Sequence, residues 1–186
     1  MFVRNEKGDV RVLGGRGGDV WGDEGDGGGD CGGGDGENGG DGSGKMWVEV
    51  VSERVMEGCE EGKVFGCEAF IEGVSVSVGK LCLRVVCGDE EVIVKAGGHL
   101  GYEVWESYQG RGYGTRMVGL ALRVLSNYGI DRVLVVTGEH NEASKRVLEK
   151  VGGEWVGIAD EVGCEGDSGG GRGEDGGELM GVWVIE

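Results

Sequence analysis

Residues 97–115 read GGHLGYEVWESYQGRGYGT, and the chain is organised around them. His99 to Val104 reads as a strand, followed by a short connection, a glycine-rich turn from Gln109 to Gly114, and a helix opening at Thr115. The glycines at 110, 112 and 114 let the backbone approach a ligand closely and turn successive N–H groups the same way. A helix directly behind them adds its unpaired N–H groups and the positive end of its dipole. The pattern is that of a phosphate or pyrophosphate site, with the chemistry expected beside it.

Downstream, Met117, Val118, Leu120, Ala121, Val124 and Leu125 recur at helical spacing, which predicts a wide buried face ending at Gly129. Arg132 to Thr137 is a strand whose apolar centre, Val133 to Val136, suits a parallel strand covered on both sides. Asn141-Glu142-Ala143-Ser144 opens a helix from Glu142 to Val151 that buries Ala143, Val147, Leu148 and Val151 and stops at Gly152-Gly153. Trp155 to Ile158 and Leu179 to Ile185 form a closing hairpin around a Gly/Asp-rich loop at 163–177, expected to be mobile.

Upstream, Met46, Trp47, Val50, Val51 and Val55 fit the spacing of an amphipathic helix running to about Glu57. Ala69 to Val76 and Leu81 to Val86 read as antiparallel strands joined by a turn at Gly79-Lys80, with an irregular segment from Asp89 to Lys95. Residues 14–44 hold little but Gly, Asp and Glu and are expected to be disordered, after an edge strand at Asp9 to Leu13. Gly14 to Trp21 matches one copy of a calcium-binding nonapeptide, a fold that requires stacked copies. Gly39 to Lys45 matches the start of a P-loop, but Met46 stands where a hydroxyl must hold Mg²⁺. Chance in a Gly/Asp tract accounts for both. The expected organisation is a disordered segment at 1–44 and one domain at 45–186.

The net charge of −17 argues against a nucleic-acid or anionic-membrane binder. No apolar run reaches the ~20 residues that span a bilayer, and the first residues lack a signal peptide's apolar core, so a cytoplasmic location is expected. The six cysteines form no C-x-x-C pair and stand at no ligand spacing from His99 or His140, so free thiols and no metal site are expected. Glycine at 45 and proline at zero match a G-rich, C-poor coding strand, so an isolated glycine carries little signal.

Gln109, Gly112 and Gly114 fill the defined positions of Gln/Arg-x-x-Gly-x-Gly/Ala, and the order strand, turn, helix, strand, Asn-led helix follows. In both respects the chain from about Gly62 to Glu186 resembles the GNAT acetyltransferase superfamily, closest to small bacterial members with a GGH-(I/L)-GY strand. The resemblance implies an α/β fold of α+β type, with a mostly antiparallel sheet and a parallel pair at the coenzyme A site. It implies acetyl transfer from acetyl-CoA to a primary amine of a small molecule or a peptide N-terminus, by a monomer or homodimer. The amides of Gln109, Gly110, Arg111, Gly112, Tyr113, Gly114 and Thr115 would hold the pyrophosphate, and Arg111 would add charge attraction. Backbone groups of Val104 and Trp105 would pair with the pantetheine arm, which Asn141 would also reach.

In this family the helix at Met46 would flank the acceptor. Glu103 is the candidate base, since many relatives carry a carboxylate on this strand; a surface glutamate is the plain alternative. His99 would share its face in a regular strand, though a structural role suits it better. Many relatives place a tyrosine acid seven residues after the helix-leading Asn, where this chain has Leu148. Asn-x-x-Ser instead resembles the ribosomal-protein N-terminal acetyltransferases, which makes Ser144 the candidate acid; a hydroxyl capping the helix is its rival. Two other functions stay open: a Rossmann-type nucleotide site, for which the glycine spacing is wrong, and a degenerate, non-catalytic coenzyme A-binding or interaction protein.

Overall fold

The computed structural model describes residues 2–4, 10–12, 44–56, 59–86, 88–159 and 179–186. The Gly/Asp tract from Gly14 to Ser43, with the calcium-type string and most of the P-loop-like string, and the loop at 163–177 lie outside them. Among the described residues one nine-stranded sheet runs in the order β1-β2-β3-β4-β5-β6-β7-β9-β8. Its strands are β1 (Phe2–Arg4), β2 (Val10–Val12), β3 (Met46–Met56), β4 (Cys59–Ile71), β5 (Gly79–Val85), β6 (Leu100–Val104), β7 (Val133–Gly138), β8 (Glu154–Ala159) and β9 (Met180–Ile185). The helices are α1 (Glu90–Lys95), α2 (Tyr113–Asn127) and α3 (Glu142–Lys150). Every pairing is antiparallel except β6 with β7, which α2 connects as a parallel pair requires. The α/β fold with one parallel pair in a mostly antiparallel sheet is therefore present.

One face of the sheet carries the main core. Leu81, Leu83, Leu100, Val133, Val135 and Trp183 meet Met117, Val118, Ala121 and Leu125 of α2 and Leu148 of α3. All six α2 residues expected on its apolar face are buried. On α3 only Leu148 is fully buried; Val147 and Val151 are partly covered, and Ala143 is exposed. Ile93 of α1 joins Val86, Leu134, Val182 and Val184 in a smaller cluster on the opposite face.

Four expectations are corrected upstream, the first being the strand at Ala69 to Val76, which is instead the end of β4 and stops at Ile71. Met46–Met56 is a strand, not a helix. Met46, Val48 and Val50 are buried at alternate positions, and a register shift between Val50 and Ser52 then breaks the alternation. Val51 and Val55 are 61 % and 63 % exposed, and their four-residue spacing imitates a helix. Gly79 begins β5 instead of forming a turn; a Cβ there would lie 2.3 Å from the Glu103 carbonyl oxygen and 2.9 Å from Met117. It is a close-approach glycine. The segment expected to be irregular after Asp89 is α1, capped by the Asp89 carboxylate, which accepts from the Glu91 N–H at 2.8 Å.

β6 and β7 are pinned together at their starts. The pair is in register only at Leu100 and Val135. His99 donates its backbone N–H to the Leu134 carbonyl at 2.7 Å, and its Nδ1 accepts the Leu134 N–H at 2.9 Å. With Nδ1 accepting, Nε2 carries the proton and donates to the Val86 carbonyl at 3.3 Å. Burial, together with the nearby Arg84 charge, holds the imidazole pKa below its usual value. The ring is thus neutral and structural.

The sign of the resulting pH dependence follows. Below the unfolded histidine pKa of about 6.5 the unfolded chain binds a proton that the folded ring refuses. Stability is whole above that pH and falls as the pH drops toward 5, at up to about 1.4 kcal/mol per unit. Urea unfolding of His99→Gln should lack this slope between pH 7 and 5.5. The variant should also be weaker at pH 7 by about 1–3 kcal/mol, because the buried Leu134 amide loses an acceptor.

Candidate active site

Beyond the His99 clasp the two parallel strands separate, since Leu100 and Val135 are their one registered pair. β6 is hydrogen-bonded to β5 through its odd-numbered residues: Arg84 N–H donates to His99 and Trp105 N–H to Val78. By the alternation of an antiparallel ladder, the backbone groups of Tyr102 and Val104 point the other way, into the gap toward β7. Trp105 is thus placed with its amide on Val78, at 3.0 Å, while Val104 faces the opening.

Side chains alternate in the other sense. Leu100, Tyr102 and Val104 face the helices, and Glu103 stands on the opposite face. The Glu103 carboxylate is 51 % exposed and lies 3.2 Å from the Lys80 ammonium, which stands 5.6 Å from the centre of the Trp105 ring. The Trp105 indole is held in turn by Ser77 at 3.1 Å. His99, which packs between Val86 and Leu134, is not part of this group.

After Trp105 a 3-10 turn, Glu106–Tyr108, leads into the glycine turn. The Gln109 side chain reaches back and donates to the Val104 carbonyl at 3.0 Å, which fixes the turn on the end of β6. Gly110 and Gly112 have φ of 75° and 76°, and no atom lies within 4 Å of where a Cβ would stand at either. Gly112 is the N-cap of α2 and offers no side chain to the first helical N–H groups. An open, left-handed turn in front of an uncapped helix start suits an anion such as a pyrophosphate.

Gly114 differs. A Cβ there would stand 3.3 Å from Val147 and 3.6 Å from the Tyr102 ring, so this glycine lets α2, α3 and β6 meet. The Tyr113 side chain is in the core, so only its backbone can serve the turn. Arg111 is exposed, its guanidinium 5.9 Å from the centre of the Tyr108 ring.

On the β7 side Asn141 caps α3, its Oδ1 accepting the Ser144 N–H at 3.0 Å. The Ser144 hydroxyl does not cap the helix; it meets the Tyr102 hydroxyl at 3.0 Å. Burial pushes the Tyr102 phenol pKa up. Leu148 is fully buried. Tyr102 is the residue the motif reading passed over. Its two-residue spacing from Leu100 and Val104 was the available signal, since it places a polar-tipped ring on the helix-facing side.

A cavity of about 190 Å³, lined among others by Glu90, His99 and Arg132, lies on the other side of the clasp and touches none of the candidate residues. Among the described residues no group of three His, Cys, Asp or Glu side chains could hold a metal ion, and no helix is long and apolar enough to cross a membrane.

Residues 48–154 match the family model of the acetyltransferase (GNAT) domain, more than half of the chain. The chain belongs to the GNAT acetyltransferase family. Its fold is similar to that of Mycobacterium smegmatis RimJ in complex with a CoA-disulfide, at 15 % identity over 76 % of this chain and 82 % of that one, TM-score 0.53. It is also similar to a GNAT-family acetyltransferase from Streptococcus pneumoniae, at 15 % identity, 65 % and 66 % coverage and TM-score 0.46. A Bacillus subtilis acetyltransferase in complex with CoA matches at 16 % identity, 66 % and 76 % coverage and TM-score 0.46. The GNAT chain thus spans just under two thirds of the pneumococcal protein's length. No curated protein matches.

Glu103 is exposed and Lys80 is one-third exposed, so their contact contributes little to stability. Glu103→Gln should leave the free energy of urea unfolding within about 0.5 kcal/mol of the parent. A larger loss would make this carboxylate part of the scaffold.

Proposed function

We propose that the protein transfers an acetyl group from acetyl-CoA to a primary amine of a small molecule or a peptide N-terminus. The observation that carries this reading is the opening between β6 and β7, which lies between an open glycine turn with an uncapped helix start and the Tyr102–Ser144 pair. Acetyl-CoA brings the acyl carbon already activated as a thioester. The amides from Gln109 to Thr115 hold its pyrophosphate, with Arg111 beside them. Val104 directs its N–H into the gap, where an added strand-like arm would bond and where an N–H polarises a carbonyl. The Asn141 side chain stands at the rim on the β7 side; at the end of β6 the Trp105 carbonyl already accepts the Tyr108 N–H at 2.8 Å, so Val104 is the residue left to meet the arm.

The reaction forms a C–N bond and breaks a C–S bond. The amine must shed a proton, and the sulfur finally takes one up. Glu103 accepts the amine's proton on the open face of β6; Ser144, on the helix face, serves the departing sulfur. The two groups on opposite faces match two proton events on opposite sides of one acyl carbon. We read the enzyme as cytoplasmic, with Cys67 and Cys82 as free thiols, and its domain as running from about Lys45 to Glu186.

Acetyl-CoA should raise the melting temperature and NAD should not, and release of free thiol on adding a panel of primary amines and peptides should reveal the acceptor. Gly112→Asp tests the anchor best, because no neighbour crowds a side chain there and aspartate is among the residues that tolerate a left-handed φ, at some cost in stability, while its charge repels the phosphates. Its melting temperature should not respond to acetyl-CoA; an unchanged response removes the anchor from this turn. Gly114→Asp is a poorer test, since Val147 and Tyr102 already crowd the site.

Glu103→Gln should slow turnover about 10²–10⁴-fold below the amine's pKa and recover at high pH, where free amine is abundant. An unaltered pH profile would make Glu103 a bystander.

A further inference from the structure

Tyr102 and Ser144 are 42 residues apart in sequence, yet their hydroxyls meet at 3.0 Å. Tyr102 lies on the β6 arm two residues beyond Leu100, where pairing with β7 ends. Ser144 is in the first turn of the helix that leaves the β7 arm. Their bond therefore bridges the two arms where they separate. Ser144 is fixed twice over, by its N–H on the Asn141 cap and by its Oγ on Tyr102. A helical serine hydroxyl commonly bonds to its own backbone; this one is drawn away to a phenol.

Either hydroxyl can donate across this contact; with the phenol, the more acidic of the two, as donor, the serine hydrogen is left to point elsewhere. We propose that Tyr102 is a positioning residue that turns the Ser144 hydroxyl hydrogen toward the departing coenzyme A sulfur. This rests on the acetyl-transfer reading and adds to it the residue that makes Ser144 a donor. Neither hydroxyl surrenders its proton. A thiol of the cysteine type has a pKa near 8.5, below that of the phenol, so a serine hydrogen bond stabilises the thiolate without ionising the pair. The proton that ends on sulfur comes from water, balancing the one the amine lost. Burial raises the Tyr102 pKa, which favours the protonated phenol.

Free coenzyme A and acetyl-CoA separate this role from a merely structural one, because only the former has a thiol to ionise. Binding of both to the full chain is measured by calorimetry between about pH 7 and pH 9.5, a range that brackets the thiol pKa. In the parent protein the affinity for coenzyme A relative to acetyl-CoA should rise by about tenfold across that range, the strength of one charge-assisted hydrogen bond. Tyr102→Phe keeps the ring against Gly114 and should hold the ratio within about twofold, as should Ser144→Ala, while acetyl-CoA binds all three proteins alike. The full rise persisting in Tyr102→Phe, or no rise in the parent, overturns the proposal while leaving acetyl-CoA binding in place. Failure of the parent to bind acetyl-CoA at all would instead overturn the acetyl-transfer reading itself.

Discussion

The geometry of the site depends on the two bonds between His99 and Leu134. They hold β6 to β7 through a backbone N–H and a ring nitrogen, and the third bond, from Nε2 to Val86, ties the same residue to the end of β5. A parallel pair normally continues its ladder for the length of both strands. Here the pairing is confined to Leu100 and Val135, and everything beyond is an opening with backbone groups facing into it. A neutral ring is required, since only that form can accept on one side and donate on the other. Burial enforces it.

The opening in turn depends on α2, whose apolar side lies on the sheet while its first turn stays uncapped. Gly114 sets how closely α2 approaches α3 and Tyr102. Gln109 fixes the preceding turn to Val104. The glycines of one short turn thus do different work: the space beside Gly112 is open, and that beside Gly114 is filled by Val147 and Tyr102.

Much of this was legible from residues 97–115 because several local signals agreed there: an apolar strand, turn glycines, then a sustained helical period. The parallel pair and its crossover helix followed from Val133–Val136 and the α2 pattern. Upstream, the signals were misleading for identifiable reasons. Val51 and Val55 of β3 stand four residues apart, as on a helix, and the bulge at Val50–Ser52 interrupts the two-residue alternation that marks a strand. Gly79 looked like a turn because a glycine crowded by a neighbouring strand leaves the same mark as one that bends the chain. Asp89, Glu90, Glu91 and Lys95 did announce α1, and the short length of the segment hid it. The partner of Ser144 could not be read from its own neighbourhood, because it comes from another strand.

A sheet joined at one registered pair is mechanically two plates on a pin. β3 to β6 form one antiparallel plate and β7 to β9 the other, each cross-linked by full ladders. Widening the angle between them breaks no ladder hydrogen bond; it strains the pin, the packing beneath α2 and α3, and the Tyr102–Ser144 contact. The least costly place for the sheet to give is therefore this join, a scissor-like opening whose blades lie at the end where the long flexible arm of the proposed coenzyme A would thread. Rigidity in the plates and compliance at the join would let such a ligand enter without unfolding any strand.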